Sequence, residues 1–269
     1  MTETPSFAEF LSLVDERSAA LREAVAAASD LEARVPGCPD WSLRDLVAHL
    51  GAVQRFWSVV VRAGAADDAP PREVIGDTAP HGDLLEWSAE STRLLLSALG
   101  EIDPDAPSWT WWPTSGAPQT VGAVARHQVE EAAVHAYDAQ ETIGKPEPIP
   151  AVAAVDGVAE FLHVTYGSEG AWTHRPARIV FACTEGPSWT LDLTPDGARV
   201  APAPSGEPVA PASSGEPVAS ASSGEPVATV HGSASDILLA LFGRIPLDTL
   251  RIDGDPTVVE QLQGWGDTQ

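Results

Sequence analysis

The sequence predicts an α+β protein, with a four-helix bundle in its first half and a small α/β domain in its second. Three observations carry this. The first half shows apolar residues at helical spacing in four segments with capping residues at their starts. A proline-rich stretch follows, Lys145-Pro146-Glu147-Pro148-Ile149-Pro150. Beyond it the pattern turns to short alternating runs with turn signals.

The first helix is expected over 6–28, where Phe7, Phe10, Leu11, Val14, Leu21 and Val25 recur at helical spacing. Residues 35–41 read as a loop. Ser42 is an N-cap candidate, with Asp45 in the capping-box position. The helix it opens runs through Leu46, Leu50, Val53 and Trp57 toward Val61. A third helix covers about 84–99. An aromatic loop, Trp109-Thr110-Trp111-Trp112-Pro113, leads to Thr120, the expected N-cap of a fourth helix reaching about Ile143. Gly144 and the prolines then stop it. The domains are therefore expected at 1–145 and 146–269.

In the second half a helix is expected over 151–166. Strands are expected over 178–183 and 188–193, with Thr194-Pro195-Asp196-Gly197 as a turn. A further strand over 227–230, an apolar helix over 234–242 and a short helix over 257–262 complete it. Ser-Gly-Glu-Pro-Val-Ala occurs at 205–210, 214–219 and 223–228. These units carry almost no large side chains, so they are expected to form an extended, flexible loop over about 203–226.

Composition excludes several function classes. With 15 basic residues against 39 acidic ones and a net charge of −24, no basic face is available for phosphates. An anionic membrane surface is disfavoured for the same reason. No apolar run approaches the roughly 20 residues that span a bilayer. Met1-Thr2-Glu3-Thr4-Pro5 is acidic and polar, so no secretion signal is expected, and the two cysteines, Cys38 and Cys183, are distant in sequence and expected to be reduced. A cytoplasmic protein without nucleic-acid or membrane partners is expected.

Three residues stand out chemically. Glu131 and His135 are four apart on the fourth helix, so both project from one face. His49 lies mid-helix among apolar neighbours, where an imidazole needs a partner. Two histidines and one carboxylate with an open position form a catalytic zinc set and equally the facial triad of non-haem iron. Spacing alone also admits His127, four residues before Glu131, in place of His135. Asp138, three beyond His135, is placed to orient that histidine as a carboxylate partner.

The segment VPGCPDWSLRDLVAHLGAVQRFW resembles the N-terminal signature of the mycothiol-dependent maleylpyruvate isomerase family, within the DinB-like metalloenzymes. ARHQVEEAAVHAYDAQ resembles the fourth-helix motif of that family, and ATVHGSASDILLALFGRIPLDTLRIDGD the close of its C-terminal domain. The resemblance covers nearly the whole chain apart from the repeats. It implies a DinB-like bundle that binds a divalent metal, Zn2+ by expectation, through His49, Glu131 and His135. It further implies that Arg244 is the catalytic arginine supplied by the C-terminal domain, with mycothiol as co-substrate. Two departures change the surroundings of the site. Relatives have His-Glu where this chain has Glu130-Glu131, and a basic-aromatic pair where it has Ala136-Tyr137.

A metal-bound thiol is deprotonated at neutral pH and attacks electrophilic carbon. The expected function is thus thiol-dependent cis–trans isomerisation or S-transfer on a small electrophile, Arg244 gripping a carboxylate. The rival readings are a hydrolase using metal-bound water and a non-catalytic small-molecule-binding relative.

Overall fold

The computed structural model describes residues 4–203 and 225–265. Residues 204–224, which hold most of the repeats and most of the flexible loop expected over about 203–226, lie outside the described residues; the last repeat ends on described residues, its Ala228 opening a strand. The protein is α+β, helical in its N-terminal part and sheet-containing in its C-terminal part, and divides into two compact units.

The first unit holds Thr4–Trp111 and Pro118–Ala153. Its long helices are α1 (Phe7–Ala26), α2 (Leu43–Ala63), α4 (Leu84–Gly100) and α5 (Val121–Thr142), with a single-turn α3 (Arg72–Ile75) between α2 and α4. Each long helix starts at a side-chain cap: Ser6, Ser42, Asp83 and Thr120. At Ser42 the box is reciprocal. Its hydroxyl accepts from the Asp45 N–H at 3.2 Å, and the Asp45 carboxylate accepts from the Ser42 N–H at 2.9 Å. α1 packs along α5 and α2 along α4. Gly51 allows the second approach, because a β-carbon there would meet the Trp87 indole at 2.2 Å. The core beneath the site joins Leu43, Leu46, Val47 and Leu50 of α2 to Ala132, Ala136 and Ala139 of α5.

One expectation is corrected here. Residues 35–41 are not an irregular loop: Arg34–Val35 (β1) and Cys38–Ser42 (β2) pair antiparallel as a tight hairpin around Pro36-Gly37. Its two prolines and its shortness hide the alternation that identifies a strand.

The second unit holds Trp112–Ala117 and the described residues from Ala154 onward. It takes most of α6 (Ala151–Phe161), which passes into a π-helical turn, Leu162–Tyr166, instead of continuing as α-helix to Tyr166. Its five-stranded sheet has the order β5-β4-β3-β6-β7, from β3 (Ala177–Cys183), β4 (Ser188–Thr194), β5 (Gly197–Pro202), β6 (Ala228–Gly232) and β7 (Arg251–Gly254). β3 is central, antiparallel to β4 and parallel to β6. The edge strands β5 and β7 went unread because each offers few large apolar residues: Gly-Ala-Arg-Val-Ala-Pro and Arg-Ile-Asp-Gly. α7 (Ala234–Leu241) and α8 (Pro256–Gln263) complete the unit. No helix among the described residues is long and apolar enough to cross a membrane.

Candidate metal centre

The metal-ligand candidates come from two facing helices of the first unit. His49 lies in the second turn of α2, whose register the Ser42 cap sets. Glu131 and His135 lie one turn apart on α5. One ligand atom from each of the three lies within 4.8 Å of the others. The Nε2 atoms of both histidines face the same oxygen, Oε1 of Glu131, at 2.9 Å from His49 and 3.5 Å from His135. The imidazole rings stand edge to face, with centroids 5.0 Å apart.

The surroundings orient these groups. Nδ1 of His135 donates to Oδ2 of Asp138 at 2.9 Å, and Asp138 is fully buried. That bond leaves Nε2 as the ring's lone-pair atom toward Glu131 in the neutral imidazole. Burial pushes the His135 pKa down, but the hydrogen bonds and charges of Asp138 and Glu131 outweigh it and hold it at about 9. Burial likewise pushes Glu131 up, yet its two histidine partners hold its carboxyl well below the usual range. Without an ion, the cluster is a compact charged network around one carboxylate oxygen. Its donor set, two imidazoles and one carboxylate, with the Asp138 carboxylate hydrogen-bonded behind the ring of His135, fits a divalent ion.

Two neighbours were not foreseen as parts of the site. Trp41, on β2 just before the α2 cap, packs its ring on His49 at 4.5 Å and near His135 at 5.9 Å between centroids. Cys38, on the same strand, points its thiol at Oδ2 of Asp138, 4.0 Å away. Their adjacency to the His49 helix in sequence was the available signal, and it became specific only when the hairpin folded back.

His127, the alternative ligand, is not among the three convergent residues. Its Nδ1 lies 3.9 Å from Oε2 of Glu130, and its ring meets Trp57 and Trp111 edge-on at 6.1 and 5.7 Å. Arg244 belongs to the other unit, just beyond α7. There its Nη1 donates to the carbonyl of Phe242 at 2.8 Å and its guanidinium lies 5.8 Å from the Phe242 ring centroid.

Comparison with known proteins agrees along the length of the chain. The family model described as the mycothiol maleylpyruvate isomerase N-terminal domain matches residues 11–140, and the corresponding C-terminal domain model matches residues 153–261. Among solved structures, a mycothiol-dependent maleylpyruvate isomerase is similar with a TM-score of 0.55 and 16% identity, over 90% of this chain and 90% of that one. A histidine-to-alanine variant described under the same name is similar with a TM-score of 0.58 and 15% identity, over 92% and 93%. At such identities these likenesses establish the fold. No curated protein sequence matches the chain.

Proposed function

The chain belongs to the mycothiol maleylpyruvate isomerase family, and on that premise we propose that it is an enzyme that uses mycothiol to isomerise a small unsaturated acid. The observation that carries the reading is the convergence of His49 Nε2, Glu131 Oε1 and His135 Nε2 from two helices. These residues would hold a divalent ion, Zn2+ in the first instance. Such an ion supplies a Lewis acid that keeps a thiol deprotonated at neutral pH.

The residues of the chain account for the rest. Glu131 lends the site its negative charge, Asp138 fixes the ring of His135, and Trp41 packs against both imidazoles. The thiolate sulfur adds to one carbon of the electrophilic double bond, and the electron pair moves onto the conjugated carbonyl. The former double bond is now single and rotates. Return of the electron pair re-forms the alkene in the trans geometry and expels the thiolate, so no atom is gained or lost. Arg244 is the proposed partner of a substrate carboxylate. If the adduct is protonated instead of collapsing, the same site performs S-transfer.

The test is metal analysis of the purified protein, followed by turnover of an electrophile panel with and without mycothiol. Stoichiometric metal and thiol-dependent isomerisation support the reading. Activity that is metal-dependent but indifferent to the thiol points to hydrolysis by bound water, and a metal-free protein without turnover removes the enzymatic reading.

A further inference from the structure

A groove of about 490 Å³ lies wholly within the N-terminal unit, along the helix that carries His49. Ala48, Ala52 and Phe56 of α2 form one side; Arg72, Asp77 and Thr78, from α3 and the segment after it, form the other. Its volume suits a small molecule.

Helix geometry ties this groove to the metal ligands. His49, Ala52 and Phe56 are spaced i, i+3 and i+7, so they share one face of α2. Seven residues of helix span about 10 Å and bring Phe56 within about 20° of His49 around the axis. That length is comparable to an extended keto-diacid. Of the three candidate ligands the His49 side chain is the most exposed, at 33% against 21% for Glu131 and 8% for His135.

The charge of the groove is unusual for this chain. A net charge of −24 repels anions from most of the surface. Many of the arginines answer to acids of their own, as Arg44 does to Glu32, Arg55 to Glu90, Arg62 to Glu101 and Arg178 to Asp192. The Arg72 side chain is exposed and makes no ion pair or hydrogen bond among the described residues. Glu73 follows Arg72 in sequence but does not line the groove; Asp77 does, and its Oδ1 accepts from the Ala79 N–H at 2.9 Å. Thr78 adds a hydroxyl donor.

We propose that this groove is a carboxylate subsite of the metal centre, in which the guanidinium of Arg72 grips the distal carboxylate of the electrophile while its double bond reaches toward His49. The inference rests on the proposed function for the identity of the electrophile and on the groove itself for the anion. A planar guanidinium suits a carboxylate through two parallel N–H donors.

The test uses the full chain and two variants, Arg72→Ala and Arg72→Lys. Binding of maleate, a simple unsaturated diacid, is measured by calorimetry, which needs no turnover. Steady-state constants are then measured for maleylpyruvate and for mycothiol separately. Arg72→Ala is expected to weaken maleate at least about tenfold and to raise KM for the electrophile similarly, with KM for the thiol unchanged. Arg72→Lys should recover only part of the loss. Equal maleate binding by wild type and Arg72→Ala overturns the proposal, and so does a rise confined to the thiol KM, which would make the thiol the occupant. A wild-type protein that binds maleate through Arg72 but shows no isomerisation defeats the proposed function and leaves the subsite standing.

Discussion

Asp138 accepts a hydrogen bond from Nδ1 of His135 at 2.9 Å while the opposite ring nitrogen faces Glu131. Acid, imidazole and carboxylate thus form a relay across two turns of α5. Carboxylates behind metal-bound histidines fix the tautomer and raise ligand basicity, and their loss lowers affinity about 10–100-fold. Asp138→Asn preserves shape and removes the charge. It is expected to weaken metal binding within that range, read by competition with a chromophoric chelator, while the circular dichroism stays native. Wild-type affinity in the variant would make Asp138 a packing residue only.

The same relay sets a pH dependence. In the metal-free protein His135 is held protonated up to about 9, against about 6.5 for a free imidazole. Its folded value is raised, so its contribution to metal-free stability is full below about 6.5 and fades as pH rises through 9. Glu131 is lowered, so its contribution is present above the ordinary carboxylate range and fades as pH falls through its depressed value. An arriving ion must displace the His135 proton. Metal uptake near neutral pH should therefore release about one proton, and apparent affinity should climb toward pH 9. Calorimetry in buffers of differing ionisation heat counts the proton, and uptake at pH 7 with none released would show His135 already neutral.

Part of this site is legible in one dimension. Ser42 and Asp45 mark the start of α2 by local chemistry, and the interval between Glu131 and His135 is a property of any helix. Joining His49 to them required the family resemblance, since 82 residues separate His49 from Glu131 and no periodicity spans that distance. Trp41 and Cys38 stayed hidden because Pro36, Gly37 and Pro39 resemble loop punctuation, and the hairpin is set by its packing against α2. Arg72 was silent because it lies in a connection without pattern. What escapes the sequence is what the short segments between the long helices contribute once the bundle has placed them.

Gly51 tests the helix contact that supports α2. A β-carbon there would meet the buried Trp87 ring at 2.2 Å, and the indole is only 3% exposed. Gly51→Ala gains helix propensity of about 1 kcal/mol but forces α2 and α4 apart. Overpacking of this kind costs about 1–3 kcal/mol, so the net effect is expected to be destabilising. Urea unfolding measures it, and a variant more stable than wild type would mean that Trp87 repacks freely.

Arg244 has contacts that suit a helix end, through the Phe242 carbonyl and ring. Lysine at this position keeps a cation near the C-terminus of α7 and loses the planar fork. If the residue grips substrate, Arg244→Lys lowers kcat/KM at least about tenfold, or about 1.4 kcal/mol, with the melting temperature nearly unchanged. Unaltered kinetics on a carboxylate-bearing substrate would assign Arg244 to capping alone.

The ligand set itself is tested by four alanine variants. His49 comes from α2, Glu131 and His135 from α5, so the ion would bind only to the packed bundle and would stabilise it by mass action. His49→Ala, Glu131→Ala and His135→Ala are each expected to remove most of the metal and the activity. The fold should survive, because the core below, which includes Leu43, Leu46, Val47 and Leu50 with Ala132, Ala136 and Ala139, does not involve the ligands. Chelation should lower the melting temperature of wild type and leave the three variants unmoved. His127→Ala is the control. It lies two turns from His135 and about 80° around α5, and its ring packs against Trp57 and Trp111, so its loss should leave metal content intact. Metal that disappears with His127 and persists without His135 would transfer the ligand role to the other histidine. Metal that persists in all three ligand variants would overturn the centre, and the thiol chemistry proposed for it would lose its physical basis.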